Sequence, residues 1–318
     1  MLAPEFSVSM CVYAGDNAEA FDQALNSVID QTVKPTEIVL TIDGPIPDTI
    51  ASVIEKYKIK LEGTDVAFKI IQFEKNMGHG EARRKSIDNC SCSLVAIMDA
   101  DDISARDRFE KEVAAFIADP DLSIVGSHVS EFLNDDPENI TAKRLVKLSD
   151  EEIKQDMSVR CPMNQPTVMF KKDDVIEVGG YIDWFCNEDY YLWIRLALAN
   201  KKFLNIDDCL VNMRVDEGSY QRRGGFKYYS SEARIQKLLL NNGLIGRPRY
   251  FVNNAKRFIV QVMMTNAVRG WVFKRFARKS INKDNMNKNE WKICNVFKSR
   301  KSYLQALPRS NGHTYNSR

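Results

Sequence analysis

The sequence predicts an α/β fold: a mostly parallel sheet with helices on both faces, followed by a basic, largely helical C-terminal region. Three observations predict it. Four short apolar runs alternate with helix-length segments over the first hundred residues. An acidic or amide residue follows each run closely. The charge is also split: residues 221–318 hold 22 Lys and Arg against 3 acids, a balance of +19, while residues 1–220 carry −17. Strands alternating with helices of this size build a parallel sheet covered on both sides. Opposite charge on the two parts implies two surfaces with different partners.

The elements follow in order. Phe6–Tyr13, "FSVSMCVY", reads as a first strand. "GDN" then offers a turn and an N-cap, and Phe21, Ala24, Leu25, Val28 and Ile29 repeat at helical spacing. Glu37–Asp43 is a second strand stopped by "DGP", and a polar helix covers about Thr49–Tyr57. Ala67–Phe73 is a third strand, and "EKNMGHGEARRKSI" opens another helix. Ser93–Met98 is a fourth, ending in "DADD". From about Arg144 short strands surround one clear helix, in which Asp189, Leu192, Trp193 and Leu196 share a face. Asp189 falls in its first turn, where the helix dipole favours a carboxylate.

Composition narrows the class. A chain of 318 residues, 44% hydrophobic and 28% charged, fits an ordinary soluble protein of one large domain, or one domain with an appendage. Seven scattered cysteines argue for a reducing compartment and against a disulfide framework. Cys90-Ser91-Cys92 lacks zinc-ligand spacing. The opening "MLAPEFSVSM" shows no signal peptide, and the longest charge-free stretch of the basic region, Phe258 to Val268, is too short to span a bilayer.

Ligands on open α/β sheets sit at the carboxyl ends of the strands. That rule gathers Tyr13, Asp16, Asp43, Asn76 and Gly78 with Asp99 and Asp101 on one edge. Turn and cap preferences account for any one of these residues, but poorly for three carboxylates within four positions. Asp99, Asp101 and Asp102 repel one another, and a hard cation relieves that repulsion. Oxygen ligands of this kind suit Mg²⁺ or Mn²⁺ shared with a substrate diphosphate. No G-x-x-x-x-G-K-[ST] loop is present, nor a G-x-G-x-x-G after the first strand. A sugar nucleotide is then the expected ligand.

These residues carry a resemblance. Over Phe6 to Gly225 the chain resembles a family 2 glycosyltransferase with the GT-A fold. The motifs are the opening strand and helix, "EIVLTIDG", "NMGHGEARRKSI", "MDADDIS" and "NEDYYLWIRL", in that order. The resemblance implies Tyr13 against a uracil ring, Asp43 on its edge, Asp99 facing ribose and metal, and Asp101 on the metal. Asp102 serves either the metal shell or as a cap of a helix beginning near Arg106. Asp16 and Asn76 join the nucleotide-sugar site, and Arg83 contacts phosphate. Asp189 is the expected general base and Glu188 its neighbour, orienting the acceptor. One base without a carboxylate nucleophile implies inversion, so an α-linked donor gives a β-linked product. Gln165 stands where close relatives often carry His. Arg214, Arg222 and Arg223 are possible diphosphate contacts.

The expected division is 1–225 catalytic, with 1–130 holding the nucleotide sugar and 131–225 the acceptor, and 226–318 associating with membrane. If one helix ran through Lys256, Arg257, Lys274, Arg275, Arg278 and Lys279, its cations would share an arc of about 140°. An anionic inner-membrane surface suits them, and no nucleic-acid module is recognisable. The resemblance points to a UDP-hexose donor, glucose or galactose, and a GlcNAc-diphospho-undecaprenol type of acceptor in O-antigen or capsule assembly. The expected location is the cytoplasmic face of the bacterial inner membrane. A sugar nucleotidyltransferase and a noncatalytic scaffold binding sugar nucleotide and membrane are the rival readings.

Overall fold

Strand β4 (Leu94–Met98) shows why the sheet has two covered faces. All five of its residues are buried. Leu94, Ala96 and Met98 enter one core cluster, and Val95 and Ile97 the other. Period-two alternation therefore feeds two cores from one strand. The computed structural model describes residues 4–133, 136, 137, 139–215, 224–264 and 279–280, all within one compact unit.

β1 (Phe6–Val12) lies between β4 and β2 (Glu37–Ile42), parallel to both, and β3 (Ala67–Gln72) adds in parallel at the edge. α1 (Ala18–Ile29) and α2 (Asp48–Leu61) close one face with Phe21, Leu25, Ile54 and Tyr57. Asn17 caps α1 by accepting from the Ala20 amide. α3 (His79–Asp88) covers the other face. β2 is buried throughout and β1 at every residue but half-buried Cys11, as a central parallel sheet requires, whereas edge strand β3 exposes Ala67, Lys69 and Gln72.

Beyond β4 the sheet becomes mixed. β8 (Met169–Lys171) runs antiparallel to β4 and β6 (Leu122–Phe132), and β7 (Ile140–Arg144) is antiparallel to β6. β9 (Lys202–Arg214) runs parallel to β6 and antiparallel to β5 (Ile103–Ser104). The order is β10-β7-β6-β8-β4-β1-β2-β3, where β10 is Lys279–Ser280. The expected parallel sheet is thus the first four strands, with mixed pairings beyond. α4 (Arg108–Ala118) packs on the first core, α5 (Asp150–Asp156) starts in a Ser149–Glu152 capping box, and α6 (Lys172–Glu177) follows β8. α7 (Glu188–Leu198) buries Leu192, Trp193 and Leu196 in the second core.

That second core does not stop at residue 225. α8 (Phe226–Asn241) adds Ile235 and Leu239 to it, and Ile245 follows. α9 (Arg247–Phe258) then packs on α8 and passes into a π-turn over Ile259–Met263. The continuous basic helix from Lys256 to Lys279 is not formed. Lys279 and Ser280 are extended and pair with Lys143 and Ala142. Lys274, Arg275 and Arg278 lie outside the described residues, as do Arg222 and Arg223.

Candidate active site

Four loops meet at the carboxyl ends of β1, β2, β3 and β4, and Arg83 ties them to α7. Its guanidinium is buried and donates from Nη2 to Asp99 Oδ1 at 2.6 Å. The same nitrogen lies 3.0 Å from His79 Nε2, and that nitrogen is 4.0 Å from Glu188 Oε1. Hydrogen bonds thus join Asp99, Arg83 and His79, and Glu188 in the first turn of α7 lies next to that group without a hydrogen bond to it. Arg83, the expected phosphate contact, is here paired with Asp99. It sits beneath the surface, where a desolvated guanidinium needs a carboxylate partner. Among the described residues, two of its nitrogens, Nε and Nη1, and the hydroxyl of buried Tyr181 have no hydrogen-bond partner.

The three carboxylates after β4 do not surround one point. Asp99 turns to Arg83. Asp102 turns inward, 2% exposed, and its Oδ1 accepts from the Arg214 amide at 2.9 Å. Asp101 is exposed. Among the described residues no cluster of three or more His, Cys, Asp or Glu side chains forms a ready metal cage. Asp102 is not a helix cap: α4 starts at Arg108 after Asp107. Burial and then the charges of Asp101 and Asp99 push Asp102 well above the usual carboxylate range. Asp16 rises to about 6, by burial and then by Asp101 and Asp99.

Arg214 was a candidate diphosphate contact. In the structure it braces the acidic loop, donating from Nε to the Asp101 carbonyl at 3.0 Å and from Nη2 to Gln23 Oε1 at 2.8 Å. Asp43 is also internally engaged. Its two oxygens accept from the Met77 amide at 2.6 Å and the Gly78 amide at 3.1 Å. It therefore shapes the loop holding exposed Asn76, whose side chain donates to the Asp43 carbonyl. Gly44 is required here: its φ is +91°, and a Cβ would come within 2.6 Å of the Asn76 nitrogen. Tyr13 stands 47% exposed above Gly15, and its amide donates to Asp16 Oδ2.

Glu188 and Asp189 begin α7. Burial and the Asp189 charge raise Glu188 to about 7. Asp189 Oδ1 accepts from the Tyr190 amide at 2.6 Å, and Oδ2 from the Cys161 thiol at 3.6 Å. Burial, then the Asp189 carboxylate, push that thiol up, so it stays a donor. His79 is lowered to about 4, by burial of its inner edge and then by Arg83, although 53% of its side chain meets solvent. It is neutral at pH 7 and does not offset Glu188.

Sequence reasoning missed three supports. Arg108 is fully buried; it pairs with Glu112 at 2.8 Å and donates to the Ile97 carbonyl, fixing the end of β4. The Arg-x-x-x-Glu spacing was the available signal. Ser231 of α8 donates to the Phe185 carbonyl at 2.6 Å and accepts from Asn187 Nδ2 at 3.0 Å. Arg234 lies over the Trp184 ring. Nothing local marks Ser231 or Arg234, because they reach the loop before α7 from 40 or more residues away.

The comparisons agree with this arrangement. The family model described as Glycosyl transferase family 2 matches residues 7–178. The chain is 32% identical over 276 residues to the UDP-Gal:alpha-D-GlcNAc-diphosphoundecaprenol beta-1,3-galactosyltransferase of Escherichia coli, covering 87% of this chain and 98% of the relative. It is 33% identical over 250 residues to the amylovoran biosynthesis glycosyltransferase AmsE of Erwinia amylovora, covering 78% and 91%. Among solved structures it is similar to the mannosyltransferase PcManGT from Pyrobaculum calidifontis, in complex with GDP-Man and Mn²⁺. That match has a TM-score of 0.58 at 15% identity and covers 87% of this chain and 74% of the other, a likeness of fold. Matched by the family model over more than half of its length and by relatives over most of theirs, this chain is a member of glycosyltransferase family 2, a transferase of the GT-A fold.

Proposed function

We propose that the protein is an inverting hexosyltransferase that moves glucose or galactose from a UDP-sugar to a lipid-linked acceptor of the GlcNAc-diphospho-undecaprenol type. The product is a β linkage in O-antigen or capsular polysaccharide. The approach of the Asp99–Arg83–His79 group to Glu188 carries the reading, because it sets a donor-side carboxylate near the acid pair of α7. The galactosyltransferase relative, matched over nearly its whole length, supports the donor and acceptor classes.

Residues 1–130 hold the nucleotide sugar, with Tyr13 on the base and Asp16, Asp43 and Asn76 shaping its pocket. Residues 131–225 present the acceptor hydroxyl to Asp189. That hydroxyl attacks the anomeric carbon, its proton passes to the Asp189 carboxylate, and the bond to the diphosphate breaks. The donor set fits Mn²⁺ or Mg²⁺: hard carboxylate oxygens follow one strand end, and Asp101 among them is exposed. Asp101 would hold it, with Asp99 and Asp102 beside it. A bound cation supplies charge stabilisation for the departing diphosphate. Arg83 holds Asp99 in place. The protein works at the inner face of the bacterial inner membrane, with 226–318 as its membrane-associating part. No helix among the described residues is long and apolar enough to cross a bilayer.

One observation favours a second assignment of the base. Asp189 already accepts two hydrogen bonds, while Glu188, at about 7, has the basicity of a good proton acceptor at neutral pH.

The test is a donor screen. The protein is incubated with Mn²⁺, a synthetic GlcNAc-diphosphate-lipid and each of UDP-Glc, UDP-Gal, UDP-GlcNAc and UDP-GalNAc. A mass gain of one hexose from a single donor, abolished by EDTA, is expected. Transfer of an N-acetylhexosamine would overturn the donor class. UDP binding without transfer from any donor would overturn the acceptor.

A further inference from the structure

α9 is amphipathic the wrong way round. Its side toward the protein is largely polar: beside Tyr250, which packs on the second core, Asn253 is buried and donates to Gln236 Oε1 at 2.8 Å and to the Ser158 carbonyl at 3.0 Å. Arg257, on the same side, pairs with Glu232 of α8 at 2.6 Å. Its outward side is apolar. Phe251 is 67% exposed and Val252 49%, and Ala255, Phe258 and Ile259 are exposed as well. At 3.6 residues per turn these five positions fall in an arc of about 120°. The patch continues past the helix. Phe258 meets Tyr229 edge-on at 5.2 Å, Tyr229 meets Phe226, and the Gly225 amide donates to the Gln261 carbonyl. Phe226 and Met263, each 68% exposed, therefore belong to the same surface.

A solvated helix gains nothing from this orientation, since hydrophobic burial orders helices with apolar faces inward. Contiguous exposed apolar residues rimmed by charge mark an interaction site. The rim here is basic. Arg247 flanks the apolar arc on one side, and Arg249 and Lys256 on the other. Residues 224–264 hold seven Lys and Arg and one acid, Glu232, which is turned inward to Arg257.

We propose that the outward face of α9, with Phe226 of α8 and the π-turn after α9, docks on an anionic lipid surface. Phe251, Phe258, Ile259 and Met263 enter the acyl boundary, and Arg247, Arg249 and Lys256 meet the headgroups. Charge complementarity selects this occupant over a second copy, whose matching face would be equally basic and repelled. The choice of lipid also rests on the proposed lipid-linked acceptor; the surface itself does not. The same element reaches the site. From the other side of α8, Ser231 and Arg234 hold the loop before Glu188 and Asp189, and Lys227 lies over the Phe185 ring at 4.1 Å. Docking thus places the catalytic helix against the surface that carries the acceptor.

The full-length protein is sedimented with vesicles of phosphatidylcholine alone, or with about one third phosphatidylglycerol, without donor or acceptor. Binding to the anionic vesicles only, weakened by salt, is expected. Phe251→Glu and Ile259→Glu each lower that binding about tenfold. Ile59→Glu, on exposed α2, leaves it unchanged. Thermal midpoint and UDP binding stay at wild-type values in all three variants. Unaltered vesicle binding in Phe251→Glu, an equal loss in Ile59→Glu, or no binding by the wild type overturns the proposal. So does a dimer, seen by analytical ultracentrifugation, that Phe251→Glu dissociates. Because no sugar is transferred, failure of the donor screen leaves this result readable, and the reverse holds too.

Discussion

The two acid motifs of the site are held in opposite ways. After β4, carboxylates are met by full charges: Arg83 pairs with Asp99, and Arg108 clamps the strand end with Glu112 beneath it. At α7 the acids meet softer neighbours: Glu188 lies 4.0 Å from the neutral His79 ring. Asp189 is held by an amide and a thiol, and its loop by the Ser231 hydroxyl. A neutral hydrogen bond positions a carboxylate without spending its negative charge. A buried guanidinium stabilises that charge and lowers basicity. A donor seat needs fixed anions, and a base needs proton affinity, so the difference matches the work each motif is proposed to do.

The largest effect should fall on the α7 pair. Asp189→Asn is expected to lower kcat about 10³-fold while UDP affinity, by calorimetry, stays at the wild-type value. Near-normal turnover in Asp189→Asn with a comparable loss in Glu188→Gln would move the base to Glu188. The charged side breaks in stability instead. Arg108→Met strands the buried Glu112 carboxylate and should cost about 3–5 kcal/mol in urea unfolding. Adding Glu112→Leu should recover most of it, because both partners are then apolar. Failure of the double variant to recover would show that Arg108 acts through Ile97 rather than through charge.

The weakly held side also predicts a pH signature. Glu188 lies near 7 in the fold against 4.5 for a free side chain, so the fold holds its proton more tightly. Its contribution is present below about 4.5 and lost as pH rises through 7. Glu188→Gln should therefore stabilise the protein by about 1–3 kcal/mol at pH 8 and leave it unchanged at pH 4, read as a shift in Tm. Equal shifts at both values would mean that the fold does not raise Glu188. The smallest change sharpens the comparison from α8. Ser231→Ala removes a donor and an acceptor from the loop before α7, and kcat should fall about three- to tenfold. KM for donor should hold, and Ser231→Thr should restore most of the rate.

The donor side was legible residue by residue. Asp43, Asp99, Asp101 and Asp102 follow strands whose alternation is visible in the chain, and strand ends place them on one edge whatever the later packing. Their orientations were not legible. Arg83 beside Arg84 and Lys85 reads as a solvated run, yet one of the three is buried while Arg84 stays out with Glu81. The outward face of α9 was not legible for the same reason. Periodicity reveals that a helix is amphipathic, but not which side the protein takes.

Local order along the chain therefore determined the α/β class, the parallel first four strands, the acidic edge and the acids at the start of α7. These depend on side-chain period and turn chemistry within a few residues. Tertiary structure alone decided that Asp99 belongs to Arg83, that Arg214 braces rather than reaches outward, that Cys161 and Ser231 support the base loop, and that α9 shows its apolar side to solvent. Each joins residues far apart in sequence or depends on which face of a helix is covered. Desolvation sets those choices. A charge moved inside must find its partner wherever the fold has brought one, and no spacing along the chain encodes that meeting.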